Sequence, residues 1–572
     1  MLGVDQLEDL TQMSDSKDME WVALDLLHFL HLKSNGIEPT VPDILFDTKV
    51  HNEAALSMIV SLEEAVRECA MILREHGHSE YLNLISVFFA EIIKILCSAM
   101  FMEIEFDDVL EMDDLLIVKG SDLAVSKLQF LTYQQLIDPS DRISFPGPIH
   151  SGAPRLRRRL FESVTAMIRG FQGNVANERT VFLSYNCQVS ETKRQYLNRM
   201  FGIKNRIYFK RCPASYNRIW IPEYERQLNV LESCILEIRA KFQPRKIPNP
   251  LRGSELLKMV LDRVHPHLAS ESNISIDGDL FVAGSLSNIR ARISAVNFKS
   301  RGIPVMGVWH GDCFGVYEEP VMGYGEGAFA DVIVGYGTES DQVDFDSPPW
   351  NTDLTDCWRV VPSSAPLVQN LYSREPIPRI CDIPNPRFLY IPTSLAGTWR
   401  YGPYRDMHDI GYLHWQIGLM SVFGNIFKDQ ITWKLHPSDK VIRTEHHKLL
   451  DLSGVKIAQK ESAENLIESC DVLVFDYHAT SFNRAAATSK PIVYFDIGLR
   501  NLSHVANAAV LERCIYINSD PKQPELAFNS FLDSQDRKCQ HGFVPKFCLS
   551  SDYRPRIEVI GETISDLLKS ID

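Results

Sequence analysis

The run CDVLVFDYHATSFNRAAATSKPIVYFDIG, residues Cys470–Gly498, reads as a strand, a polar turn, a short helix and a second strand. Asp471 to Phe475 is a short apolar strand. Pro491 to Phe495 is rich in Val, Ile, Tyr and Phe, with proline only at its first position, where a strand tolerates it. Between them, Thr480 or Ser481 is placed to cap a small-residue helix running through Ala485 to Thr488. Free N–H groups and hydroxyls at such a helix start, backed by the helix dipole, suit a phosphate. The same residues also serve an ordinary βαβ turn whose hydroxyl only caps its own helix.

The upstream run QITWKLHPSDK, residues Gln430–Lys440, adds a second point of contact. Ile431 to Leu435 alternates like a strand, His436 falls at its end, and Pro437 forces an extended exit. Ligands of open α/β sheets bind beyond the carboxyl ends of the strands, so His436 and Ser481 are expected to face one crevice. Lys434, two residues before His436, shares its strand face. It either adds charge to that crevice or is an exposed strand lysine.

Further out, strand and helix patterns alternate. Strands are predicted at Thr180–Ser184, Arg206–Lys210, Leu280–Ala283, Ile303–Trp309 and Val332–Val334, with helices at Glu191–Phe201 and from Asn288 to Lys299. After RICDIPNP, residues Arg379–Pro386, a second series runs from Phe388–Ile391 through the His436 strand, Val455–Ile457, the Asp471 and Pro491 strands and Cys514–Ile517. Parallel strands joined by helices are the expected result. The pattern from Arg556 to Ile571 is an amphipathic helix. From Met19 to Met112 apolar residues recur at helical spacing, and Ser144–Arg159 is the predicted linker behind this α-rich region.

A chain of 572 residues exceeds one hydrophobic core, so two or three domains are expected. The net charge of −15 argues against a nucleic-acid-coating protein. Arg155, Arg157, Arg158 and Arg159 form one basic cluster, suited either to an anionic membrane surface or to a solvated helix start. The 12 cysteines include no Cys-x-x-Cys, so no zinc ribbon or redox pair is encoded. The first twenty residues lack a basic start and an apolar core, and the apolar window Tyr81–Phe106 is broken by Glu91, Lys94, Glu103 and Glu105. A soluble cytoplasmic protein is expected.

Three elements occur in an order that resembles a known family. These are Trp309-His310-Gly311-Asp312, His436-Pro437, and Asp476-Tyr477-His478-Ala479-Thr480-Ser481 followed by Lys490-Pro491-Ile492. The chain resembles, from Asp279 to Asp520, the bacterial surface-polysaccharide transferases of GT-B fold that use cytidine-activated donors: CDP-glycerol glycerophosphotransferases, capsule polysialyltransferases and Kdo transferases. It departs from them in the inserted His478-Ala479, which leaves open whether Thr480 or Ser481 is the phosphate ligand.

The resemblance implies an α/β, GT-B-like fold with two doubly wound Rossmann-like lobes and an interlobe cleft. The α-rich region would occupy residues 1–150, an acceptor-side lobe 160–380, a nucleotide-donor lobe 386–550, and a C-terminal helix packing back 551–572. It implies a cytoplasmic glycosyltransferase of capsule, O-antigen or teichoic-acid-like synthesis, taking an acidic sugar such as Kdo or a sialic-acid relative from a CMP-linked donor. The acceptor would be a glycan or lipid-linked glycan, with peripheral contact at the inner membrane and no nucleic acid as partner. His436, Pro437, Thr480 and Ser481 then bind the nucleotide, joined by Lys434 and Arg400, with Arg405 an alternative anion clamp.

His310 is the implied base, since a histidine titrates near neutrality, with Asp312 and Glu326 of the Gly323–Gly327 loop as competitors. Asp277-Gly278-Asp279 sits before a strand as a tight turn would, and the resemblance to GT-B enzymes implies no metal and no other cofactor. A CDP-glycerol-type phosphotransferase, a nucleotide-sugar epimerase or hydrolase, and a non-catalytic assembly partner are the alternatives.

Overall fold

The computed structural model describes residues 29, 32–33, 36–37, 179–183, 207–211, 278–284, 286, 289–299, 301–309, 316–317, 327, 329–338, 359–393, 395, 409–436, 452 and 454–570. The predicted helix Glu191–Phe201, the Ser144–Arg159 linker and nearly all of the α-rich region lie outside them.

The first lobe contains β1 (Arg179–Leu183), β2 (Ile207–Arg211), β3 (Leu280–Ala283), helix α1 (Ile289–Lys299), β4 (Val305–Val308), β5 (Val332–Tyr336), β6 (Arg359–Ser363) and helix α2 (Pro366–Leu371). Its six strands are all parallel, in the order β2-β1-β3-β4-β5-β6. Both faces of β3 to β5 are buried, which is why these strands read as unbroken apolar runs. Side chains alternate across the sheet. Phe281, Ala283, Val305 and Ile333 face the Ala291, Ala295 and Phe298 side of α1. Leu280, Val282, Met306, Val308 and Val334 form a separate core on the opposite face. The edge strand β6 carries exposed Arg359 and Pro362 and so gives no strand signature in the sequence.

The second lobe continues with β7 (Phe388–Tyr390), α3 (Asp409–Phe427), β8 (Ile431–Lys434), β9 (Val455–Ala458), α4 (Ala463–Ser469) and β10 (Val472–Phe475). There follow α5 (Thr480–Ala487), β11 (Ile492–Asp496), α6 (His504–Arg513), β12 (Ile515–Asn518), α7 (Pro524–Leu532), α8 (Phe543–Phe547) and α9 (Arg556–Lys569). The six strands are parallel, in the order β12-β11-β10-β7-β8-β9. Counted within the lobe, that is the doubly wound 3-2-1-4-5-6 order, and its direction reverses between β7 and β10. Phe388, Phe423, Phe427, Phe528 and Phe531 interlock between the sheet, α3 and α7, with Phe423 edge-on to Phe528 at 4.7 Å. The chain thus forms the two-lobed, GT-B-like α/β arrangement.

Helix α9 returns to the first lobe, where Val559, Ile560, Ile564 and Leu568 complete the second core of that sheet. The outgoing and returning passages of the chain run together. Ser364 Oγ lies 3.0 Å from Ser550 Oγ, the Ala365 N–H donates to the Cys548 carbonyl at 2.8 Å, and the Ser364 N–H donates to the Arg554 carbonyl at 3.0 Å. The Arg379–Pro386 connector forms a short 3-10 turn at Ile380–Asp382, with Ile380 buried. From the N-terminal region, buried Phe29 meets the ring of His414 on α3 edge-on at 5.0 Å. Among the described residues no helix is long and apolar enough to cross a membrane.

Candidate functional site

The reversal between β7 and β10 opens the second sheet at its carboxyl edge, where ligands of doubly wound folds bind. Register places Tyr390 level with both Trp433 and Val474, so Thr393, His436 and Tyr477, each three residues on, leave the sheet at the same height. His436 is exposed past the end of β8 and stands two strands from Tyr477, about 10 Å by ordinary strand spacing. Thr480 and Ser481, both half-buried, begin α5 just beyond.

The start of α5 differs from the predicted capping by Thr480 or Ser481. Its N-cap is Ala479, in an extended conformation (φ −147°, ψ −179°), and no side chain caps the helix. The inserted pair causes this: His478 turns inward, Ala479 takes the cap position, and Thr480 and Ser481 become the first two helical residues. Their N–H groups and hydroxyls have no protein acceptor among the described residues, as the first turn of a helix requires some partner to remedy. The neighbouring helices do have caps, Ser462 accepting from the Asn465 N–H in α4 and Ser503 from the Ala506 N–H in α6. At the other end of α5, the buried Arg513 guanidinium donates to the carbonyls of Ala485, Ala486, Thr488 and Lys490 at 2.9–3.3 Å. It neutralises the negative end of the helix.

Beneath the turn lies a buried polar network that sequence reading did not single out. Asp476 accepts hydrogen bonds from the Tyr390 hydroxyl, the Tyr412 hydroxyl (2.8 Å) and Trp415 Nε1 (3.0 Å), and the Thr393 N–H donates to the Tyr412 oxygen at 3.0 Å. The network joins the ends of β7 and β10 through α3. Burial pushes the Asp476 carboxyl up to about 6, against the three donors that favour its charged form. His478 is wholly buried, with Nε2 2.7 Å from Asn483 Oδ1, and burial drives it down to about 3, so its ring is neutral.

Lys434 is neither an exposed strand lysine nor open to solvent. It is buried, with its ammonium donating to the carbonyls of Leu435 (2.6 Å) and Gln459 (3.3 Å). Lys490 of the Lys-Pro-Ile element donates to the carbonyls of Ile467 and Glu468 (2.6 and 2.7 Å) and of Cys470, closing the carboxyl end of α4. In the first lobe Trp309 is buried just past β4, against Gly335, where a Cβ would lie 2.9 Å from the indole. His310, Asp312, Glu326, Arg400, Arg405, Pro437 and Asp277 lie outside the described residues. His436, Thr480 and Ser481 are therefore the predicted site residues that the fold brings to one edge.

Tyr317, from the connection between β4 and β5, crosses to this edge. Its hydroxyl accepts from the His478 N–H at 2.8 Å and donates to the His478 carbonyl at 2.9 Å. The Arg500 guanidinium stacks 3.7 Å from the centre of its ring and donates to the Tyr477 hydroxyl at 2.6 Å. Asp476, Tyr477 and His478 were within reach of the sequence, lying inside the recognised element; Tyr412 and Trp415 carry only an i, i+3 spacing, and Tyr317 carries no signal at all.

No curated protein sequence matches the chain. Among solved structures it is similar to the S. aureus MnaA–UDP complex (10% identity over 68% of this chain and 97% of that chain, TM-score 0.37). It is likewise similar to a Neisseria meningitidis UDP-GlcNAc 2-epimerase bound to UDP-GlcNAc (12%, 68% and 100%, TM-score 0.36) and to the Streptomyces nogalater glycosyltransferase SnogD (10%, 68% and 100%, TM-score 0.32). A family model described as LIC12162 family transferase matches residues 284–507, from the end of β3 into α6, so over that stretch the chain is similar to a transferase family.

Proposed function

We propose that this chain is a glycosyltransferase that takes a sugar, of the acidic Kdo or sialic type, from a CMP-linked donor and passes it to a glycan or lipid-linked glycan of a bacterial surface polysaccharide. The observation that carries the reading is the uncapped amino end of α5, opening at the reversal point of the second sheet while its opposite end is neutralised by Arg513. There the N–H groups and hydroxyls of Thr480 and Ser481 meet the leaving phosphate, and their fixed orientation stabilises the charge it gains as the glycosidic bond breaks. His436, at the same edge, supplies a further donor or positive charge. From the first lobe His310 takes the proton of the acceptor hydroxyl, with Asp312 and Glu326 the competing bases. Closure of the lobes excludes water. The reaction so written needs no metal, and its acceptor brings the protein to the cytoplasmic face of the membrane.

The test is thermal denaturation with CMP, CDP, UMP and UDP, because a ligand at 100 times its dissociation constant stabilises by about 2.7 kcal/mol. CMP is expected to give the largest shift. His436→Ala is expected to abolish it, and His310→Ala to keep it while losing transfer. Preference for CDP would move the reading to the glycerophosphotransferase type. Preference for uridine nucleotides would move it to a nucleotide-sugar epimerase or hydrolase, and no shift with any of the four would leave a non-catalytic assembly partner.

A further inference from the structure

We propose that Tyr317 of the first lobe is a positioning residue for the phosphate held by the second, so that seating of the lobes and binding of the nucleotide favour each other. This rests on the reading of the amino end of α5 as the phosphate site.

The Tyr317 hydroxyl makes two hydrogen bonds to one residue, taking the N–H of His478 and giving its proton to the His478 carbonyl. His478 stands immediately before Ala479, the N-cap of α5. The main chain entering the phosphate turn is thus fixed by a side chain from the opposite lobe, while the His478 imidazole fixes it from within through Asn483. The same short segment grips the next loop. The Ser503 N–H donates to the Val316 carbonyl at 2.8 Å, and Tyr317 forms an antiparallel bridge with Leu502. Arg500, stacked on the Tyr317 ring and bonded to Tyr477, ties the two loops together beneath it.

When the lobes separate, the His478 N–H and carbonyl lose their partner, and leaving such groups buried and unpaired is costly enough that the turn must relax. The N–H groups of Thr480 and Ser481, two residues further on, then lose their common aim. Linkage is reciprocal, so a phosphate that requires the ordered turn must also draw the lobes together.

Tyr317→Phe keeps the ring and its Arg500 stacking and deletes only the hydroxyl. CMP affinity is measured by calorimetry, and hydrogen exchange of residues 497–506, which contain the Ser503 N–H, is followed with and without CMP. The wild type is expected to bind CMP and to gain protection in that segment. Tyr317→Phe is expected to bind at least about tenfold more weakly, within the usual range of coupling between sites, and to show no added protection. Phe531→Leu, in the aromatic cluster beneath α7, serves as a variant that loses stability and is expected to keep wild-type affinity, which separates positioning from general weakening of the fold.

If Tyr317→Phe binds CMP within twofold of the wild type, the proposal falls and the nucleotide site stands. Should the variant not fold, the wild type alone decides: CMP binding without protection of 497–506 overturns the coupling. A wild type that binds none of the four nucleotides overturns the phosphate site, and the proposal with it.

Discussion

The two ends of α5 are built on opposite plans. At the carboxyl end the buried Arg513 covers four carbonyl oxygens, whereas at the amino end two N–H groups and two hydroxyls have no partner among the described residues. The adjacent α4 is closed at both ends, by Ser462 and by Lys490. One helix dipole therefore serves two purposes. Its negative end is satisfied internally and holds the fold, and its positive end stays available for an anion.

The largest expected effect comes from breaking the closed end. Arg513→Met strips four carbonyls of their donor in a site without solvent, and is expected to cost on the order of 3 kcal/mol in urea denaturation. A loss below about 1 kcal/mol would show that the guanidinium is not what holds that end.

Next in size is the pH dependence of the buried pair below the open end. His478 titrates at about 3 in the fold instead of its ordinary 6.5, so the unfolded chain takes up a proton that the folded one refuses. Its contribution is complete above the ordinary value and is lost as pH falls, at up to about 1.4 kcal/mol per pH unit. Asp476 acts in the opposite sense. Its folded value, about 6 against an ordinary 3.8, makes the native state hold the proton longer, so stability falls as pH rises through that interval. His478→Gln, which keeps a donor toward Asn483, is expected to lose less stability than the wild type between pH 7 and 4.5. Asp476→Asn is expected to cost less at pH 7 than at pH 4.5. Equal slopes for all three proteins would contradict both assignments.

The smallest effect sharpens the contrast most. Thr480→Ala and Ser481→Ala are each expected to change stability by less than about 0.5 kcal/mol, because neither hydroxyl caps α5, while weakening CMP binding. A loss near 1 kcal/mol, the usual cost of deleting a capping hydroxyl, would mean that the amino end is closed after all.

The sheets were legible because both of their faces are covered, and buried parallel strands such as Leu280–Ala283 and Val472–Phe475 announce themselves as short apolar runs. Strand β6 was not, since an edge position admits Pro362 and an exposed Arg359. The site divided along similar lines. That His436, Thr480 and Ser481 share one sheet edge was legible because strand ends and helix starts are local patterns. Lys434 fits neither expectation, crevice charge or exposed strand lysine, for nothing in Ile431–Leu435 tells that the Gln459 carbonyl comes from β9's exit to meet its ammonium. Tyr317 stayed hidden for the same reason, its partner lying 161 residues away.

Ser364, Ser550, Cys548 and Arg554 lace the outgoing and returning chain into a single seam. A body joined to another along one narrow seam keeps chiefly one freedom, a swing about it, and sliding or twisting would have to tear the lacing. Halves joined in this way would meet again in the same register after any opening, returning the Tyr317 hydroxyl to His478 and the Val316 carbonyl to Ser503.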